Sequence, residues 1–74
     1  MEELPPIEEQ IKRYLKVKWY RDKFGKREVH RYLESLGYRH DENLTNSVMM
    51  GLCFKGHLIF LGWHQGDAVY QRMD

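Results

Sequence analysis

The sequence has little of what marks several large classes of protein. It contains one cysteine among 74 residues, so it cannot form an internal disulfide. Its longest apolar run is residues 58–61, far short of the roughly 20 residues that a membrane-spanning helix requires. Its first six residues are acidic and proline-containing, whereas a secretory signal is first basic and then apolar. These absences predict a cytoplasmic protein that does not enter a membrane.

Catalytic and metal-binding motifs are also missing. The sequence has no phosphate-binding glycine loop, no Gly-x-Ser-x-Gly turn and no His-Glu-x-x-His pair. A chain this short seldom builds the deep pocket that a substrate needs. The four histidines, at positions 30, 40, 57 and 64, lack the short spacing of zinc ligands, and His30 is predicted on the exposed side of a helix. We therefore predict no enzyme activity, no metal or other cofactor and no small-molecule substrate.

The net charge of +1 conceals a strong segregation of charge along the chain. Residues 1–11 carry four acidic residues and no basic one, and residues 32–74 carry five acidic and three basic residues. Residues 12–31 carry nine basic and two acidic residues, a local charge of +7. Phosphate is the commonest target of such a stretch, and the alternative is a solvated helix face.

Hydrophobic spacing predicts three helices. Ile7, Ile11, Leu15 and Trp19 recur every four residues, which indicates an amphipathic helix over residues 6–20. Spacings of three and four residues predict a second helix over 26–36, ended by Gly37, and a third over 43–55.

The last segment has the pattern of a β-hairpin. Residues 57–63 and 68–73 are rich in strand-forming residues, and residues 65–67 form the predicted turn. A two-residue turn at Gly66-Asp67 would place Trp63 opposite Tyr70. An alternative pattern makes residues 47–54 a strand, which gives two helices followed by a three-stranded meander. The predicted core consists of Leu15, Trp19, Val29, Leu33, Leu36, Val48, Leu52 and Leu58.

One spaced pattern carries a family resemblance. Leu44-x3-Val48-x3-Leu52-x3-Gly56-x-Leu58, followed by Gly62 and Tyr70, resembles the third helix, its glycine stop and the wing strands of the winged helix-turn-helix superfamily. The resemblance covers about residues 7–73 and implies a mainly α fold with a C-terminal β-hairpin (α+β). It implies one winged-helix-like domain over residues 1–74, of which residues 1–5 form a flexible acidic N-terminus. In such proteins the third helix enters the major groove of DNA and the hairpin contacts the backbone or the minor groove.

This resemblance implies a small DNA-binding protein that regulates transcription or recombination, of the kind found in phages and mobile elements, acting on double-stranded DNA as a homodimer. Basic residues at the start of the second helix would hold phosphate, polar residues of the third helix would contact bases or phosphate, and the hairpin would supply further contacts. The candidate DNA contacts are Lys26, Arg27, Asn43, Thr45, Asn46, His64 and Arg72.

The third helix also supports a different hypothesis. No lysine or arginine projects from its centre, and its predicted outer face is apolar. An exposed apolar face is normally covered by a partner. The alternative function is therefore a protein-interaction module that binds another protein or a second copy of the chain through Met49, Met50, Cys53 and Phe54.

Overall fold

The computed structural model describes residues 4–18 and 22–73. Within them the chain forms α1 (Ile7–Lys16), β1 (Lys23–Gly25), α2 (Lys26–Ser35), α3 (Glu42–Phe54), β2 (Leu58–His64) and β3 (Asp67–Arg72). The strands make one antiparallel sheet in the order β1-β3-β2. The predicted α+β class is therefore confirmed. Across the described part of the chain, no helix has the length and apolar character needed to cross a membrane.

The three predicted helices are present, and local signals explain where they begin. Two glutamates in the first turn of α1 and two basic residues in its last turn complement the helix dipole. The Asp41 carboxylate accepts a hydrogen bond of 3.0 Å from the Leu44 amide and caps α3. Because residues 47–54 lie within α3, the alternative with a strand there is wrong. Helix α1 ends at Lys16 rather than residue 20.

The hairpin forms with a different register from the predicted one. The turn is Gln65–Gly66, whose φ angles of 52° and 79° suit a two-residue hairpin turn. His64 therefore pairs with Asp67, and Trp63 faces Ala68. A bulge between Phe60 and Gly62 then places Phe60 opposite Tyr70. The predicted pairing of Trp63 with Tyr70 is wrong because the turn lies one residue earlier.

Strand β1 lies in a segment for which the sequence predicts neither a helix nor a strand. Phe24 anchors it with a side chain that is only 2% exposed. Lys23, Phe24 and Gly25 pair with Gln71, Tyr70 and Val69 of β3. The start of α2 is thereby held against the hairpin.

One core joins the helices to the inner face of the sheet. Five of the predicted core residues, Leu15, Val29, Leu33, Leu52 and Leu58, are buried. Val48 is half-buried and packs against this core, whereas Leu36 is 40% exposed because it lies just beyond the last turn of α2. Trp19 lies outside the described residues, as do residues 1–3 of the predicted flexible N-terminus. Pro5 lies within them, and its carbonyl accepts a hydrogen bond from the Tyr38 hydroxyl.

Candidate functional site

Contacts between α2, α3 and the hairpin create a continuous surface. Lys26 Nζ lies 3.6 Å from a carboxylate oxygen of Glu42 and 6.0 Å from the centre of the Trp63 ring. The Tyr70 hydroxyl of β3 donates a 2.5 Å hydrogen bond to Asn46 Oδ1. The beginnings of α2 and α3 therefore lie beside the hairpin. We call the surface formed by Lys26, Asn43, Asn46, Phe60 and Trp63 the α3–hairpin face.

An excess of positive charge lies at the rim of the α3–hairpin face. Lys23 and Arg27 are exposed and make no ion pair with any of the described residues. Arg27 Nη2 lies 3.8 Å from the position that a Cβ would take at Gly66, so this guanidinium is beside the hairpin turn. Of the two nearby carboxylates, Glu42 pairs with Lys26 and Asp67 accepts a hydrogen bond from the Arg27 amide, so Lys23, Lys26 and Arg27 together exceed them by one positive charge.

Asp67 fixes the hairpin to the start of α2. Its Oδ1 accepts a 3.2 Å hydrogen bond from the Arg27 amide, one of the amides that a helix start leaves without an internal partner. Gly25 makes this contact possible, because a Cβ at that position would lie 2.0 Å from Asp67 Oδ2. The cap thus sets the position of the hairpin relative to α2.

Two of the predicted DNA contacts are exposed to solvent, as are Lys23 and Arg27 at the rim. Asn43 is exposed in the first turn of α3, and His64 is exposed at the end of β2, where it pairs with Asp67. Lys26 lies at the same end of the molecule, although its side chain is only 12% exposed. With Arg27, these are the predicted residues that the fold brings to one place.

Thr45 does not belong to this surface. It is fully buried, and its hydroxyl lies 2.8 Å from His30 Nδ1 and 2.7 Å from His40 Nε2. Its prediction as a phosphate contact is therefore wrong, since it lies on the inner side of α3. His30, expected to be exposed, is 5% exposed because its ring joins this buried polar network.

Asn46 has a structural partner. It is half-buried, and its side-chain oxygen accepts the hydrogen bond from Tyr70. Burial raises the pKa of Tyr70 to about 12, so the hydroxyl stays protonated as a donor. Reading adenine requires both the oxygen and the nitrogen of an asparagine amide. The predicted base contact by Asn46 would therefore have to share this oxygen with the Tyr70 hydroxyl.

Arg72, predicted as a wing contact, joins β3 to the end of α1. Its Nη1 donates hydrogen bonds of 2.8 Å to the carbonyl oxygens of Leu15 and Lys18. The Leu15 carbonyl, in the last turn of α1, also accepts a 3.1 Å hydrogen bond from the Lys18 amide. The guanidinium adds charge-assisted bonds to it and to the Lys18 carbonyl just beyond the helix. The half-buried side chain therefore points back towards α1.

The predicted protein interface on α3 is smaller than expected. Met49 is fully buried in the core, so its prediction as an interface residue is wrong. Met50 and Cys53 are half-buried and pack against the core, and burial raises the pKa of the Cys53 thiol. Phe54 is 88% exposed. The large apolar side chains that α3 exposes are therefore Phe54 at its end and Leu44, 45% exposed, in its first turn.

The exposed apolar side chains of β2 are a feature that the sequence analysis missed. Ile59, Phe60, Leu61 and Trp63 are 39%, 37%, 44% and 64% exposed. A signal was present, because side chains alternate between the two faces of a strand. An unbroken apolar run at 58–61 cannot direct every side chain into one core.

Comparison of the chain with known protein families, curated proteins and solved structures found no match. No group of three or more histidine, cysteine, aspartate or glutamate side chains in the described ranges is placed to hold a metal ion. The function of the α3–hairpin face is therefore argued from its own geometry and charge.

Proposed function

We propose that this chain is a winged helix-turn-helix domain that binds double-stranded DNA. The order α1-β1-α2-α3-β2-β3 and the sheet order β1-β3-β2 support this assignment. In the proposed complex α3 lies along the major groove, α2 crosses the backbone and the β2–β3 hairpin is the wing. A domain of this kind would regulate transcription or recombination, as small phage and mobile-element regulators do.

The observation that carries the proposal is the position of Arg27. Its exposed guanidinium lies at the start of α2, beside the hairpin turn, and Lys26 next to it contacts the first turn of α3. A DNA backbone passing between α3 and the hairpin would meet these cations at the end of the groove. Phosphate contacts of this type position a protein on DNA and supply most of its non-specific affinity.

The exposed side chains of α3 determine how selectively the domain would bind particular DNA sequences. Its exposed residues include Asn43, Ser47 and Phe54, and the helix contains no lysine or arginine. Arginine and lysine make the commonest specific contacts to guanine, so α3 has little capacity to discriminate among base pairs. We therefore expect affinity that depends mainly on phosphate contacts and varies little with sequence.

Salt dependence tests the proposal. Fluorescence anisotropy is measured with two duplexes of unrelated sequence as NaCl rises from about 50 to about 200 mM. The logarithm of affinity should fall linearly with the logarithm of salt concentration, because bound cations are released from DNA. Arg27→Gln should weaken binding to both duplexes alike and reduce the slope by about 0.9, the contribution of one phosphate contact.

Lys16→Gln is the matched control, because Lys16 is also exposed and without an ion pair among the described residues but lies in the last turn of α1. This variant should keep the wild-type slope. Absence of binding at low salt, or equal slopes for Arg27→Gln and the wild type, would reject Arg27 as a phosphate contact.

Phe54 favours a second candidate function, association with a protein or a second copy of the chain. It is the most exposed large apolar side chain among the described residues, and apolar interface residues are normally covered by a partner. Phe54→Asp should leave the fold intact and abolish self-association in sedimentation experiments. A wild-type protein that stays monomeric at high concentration would eliminate the second copy as the partner.

A further inference from the structure

We propose that Trp63, supported by Phe60, is a stacking site for an unpaired nucleotide base. The protein would then prefer duplex DNA that adjoins a single-stranded segment over continuous duplex. This inference rests on the proposed DNA-binding function and names the form of DNA that the α3–hairpin face selects.

The aromatic residues form a continuous support from the core to the surface. Tyr70 is fully buried and held by its hydrogen bond to Asn46. The Phe60 ring packs against Tyr70 with 5.4 Å between the ring centres, and the Trp63 ring meets Phe60 edge to face at 6.2 Å. Trp63, at the outer end, is 64% exposed. An indole held in this way offers a large apolar surface whose position is already fixed by its neighbours.

Positive charge close to Trp63 is available to the phosphate of a stacked nucleotide. Lys26 Nζ lies over the indole ring, 6.0 Å from its centre, and is paired with Glu42. Arg27, the next residue, is exposed, and its guanidinium makes no ion pair within the described structure. Grooves that bind single strands combine aromatic platforms with cations along the backbone path. The α3–hairpin face has both features within a few residues of each other.

The rest of the face explains why unpaired bases suit it better than paired ones. In a continuous duplex the faces of the bases are covered by their neighbours, so Trp63 would meet only base edges, sugars and phosphates. The α3 helix has few side chains that read those edges. An unpaired base offers its whole face to the indole, and base–aromatic stacking of this kind tolerates any sequence. The exposed area of Trp63 is therefore best covered by a base that has left the duplex.

The experiment compares three fluorescent DNA probes in anisotropy titrations with the full chain. They are a blunt duplex, the same duplex with a single-stranded tail of about five nucleotides, and the single strand alone. The wild type should bind the tailed duplex about tenfold more tightly than the blunt one, as expected for one stacked base. A fluorescent base analogue in the tail should be quenched on binding.

Three variants locate the effect. Trp63→Leu keeps an apolar side chain beside Phe60 but has no ring, so it should bind tailed and blunt duplexes equally. Trp63→Phe should retain most of the tail preference. Leu61→Ala, which shortens another exposed apolar side chain of the same strand, should retain all of it. Circular dichroism confirms that each variant is folded.

The outcomes separate this inference from the proposed function. If the wild type binds both duplexes equally with normal salt dependence, the stacking site is wrong and duplex binding stands. If Trp63→Leu keeps the tail preference, the stacking site is also wrong. If no probe binds at low salt, DNA binding itself fails, and Trp63 belongs to a protein interface instead.

Discussion

Replacing Arg72 by alanine should destabilise the fold and leave the proposed DNA binding unchanged. In the folded chain one guanidinium nitrogen donates 2.8 Å hydrogen bonds to the carbonyls of Leu15 and Lys18. Arg72→Ala removes this partner from a carbonyl in the last turn of α1 and from the Lys18 carbonyl just beyond it, and the Leu15 carbonyl keeps its bond from the Lys18 amide. The bond between β3 and α1 joins positions more than fifty residues apart in the sequence, so its loss affects the global fold rather than one helix turn.

The size of the effect follows from the strength and exposure of these bonds. A hydrogen bond to a charged group contributes about 1.5–3 kcal/mol. Arg72 is half-buried, so water replaces part of what is lost, and we expect a decrease of about 2 kcal/mol in the free energy of unfolding. For a domain of this size, that corresponds to a fall in Tm of roughly 8–16 °C.

Thermal and urea denaturation followed by circular dichroism measure this effect. Arg72→Lys keeps one cationic donor and should recover about half of the loss, since an ammonium lacks the planar geometry of a guanidinium. Arg31→Ala removes an exposed arginine without a partner among the described residues and should change stability by less than about 0.5 kcal/mol. If Arg72→Ala is as stable as the wild type but shows a smaller salt slope of DNA binding, Arg72 contacts phosphate and does not stabilise the fold.

Three further substitutions test the framework around the face. Gly25→Ala should lower the free energy of unfolding by about 1 kcal/mol by displacing the Asp67 cap. In an Asp67→Ala background, where the clash is gone, the same substitution should be neutral or slightly stabilising. Equal losses in both backgrounds would contradict the proposed cap. Met49→Ala should lower the free energy of unfolding, measured by urea denaturation, by about 2–5 kcal/mol. A negligible change would contradict the burial of Met49 in the core. The pKa of Glu28 is lowered from 4.5: desolvation acts to raise it but is outweighed by hydrogen bonds from Lys18 and the Tyr14 hydroxyl. A lowered carboxylate pKa stabilises the fold above pH 4.5 and the contribution is lost as pH falls through the lowered value. Glu28→Gln should therefore reduce Tm at about pH 7 and have a smaller effect at about pH 3; a loss of Tm that does not vary with pH would contradict this.

Local sequence signals predicted the helices because each one has a regular apolar spacing or a clear boundary. Asp41 caps the beginning of α3 with its side chain, and Gly56, with a positive φ of 84°, follows its end. Strand β1 has no comparable local signal. Its three residues become a strand only through pairing with β3, 44 or more residues further along the chain, and such long-range pairing leaves no periodicity in so short a segment.

The candidate site was harder to predict because α3 is apolar on several sides. Met49, Met50 and Cys53 are close in sequence, and spacing alone does not decide which of them faces the core. The structure buries Met49 completely and leaves the other two half-buried. Thr45 has a polar side chain that normally indicates a surface position, yet two histidines from outside α3 satisfy its hydroxyl in the interior. Polar residues with buried partners cannot be recognised before the partners are placed.

The hairpin register decided the role of Trp63. A turn at Gly66-Asp67 would have placed the Trp63 indole opposite Tyr70. The observed turn and the bulge give that place to Phe60 and leave Trp63 at the surface. A shift of one residue in a turn therefore separates a core residue from a candidate ligand contact.

Mapping a DNA complex by NMR tests directly whether the α3–hairpin face binds DNA. Amide and indole signals of the isotopically labelled chain are followed as a short duplex is added at low salt. We expect the largest changes at the starts of α2 and α3 and along the hairpin, including Arg27, Asn43 and the Trp63 indole, while the outer side of α1 is unaffected. Changes confined to α1 or to Phe54, or no changes at a DNA concentration that saturates anisotropy, would contradict the assignment of the α3–hairpin face as the DNA-binding surface.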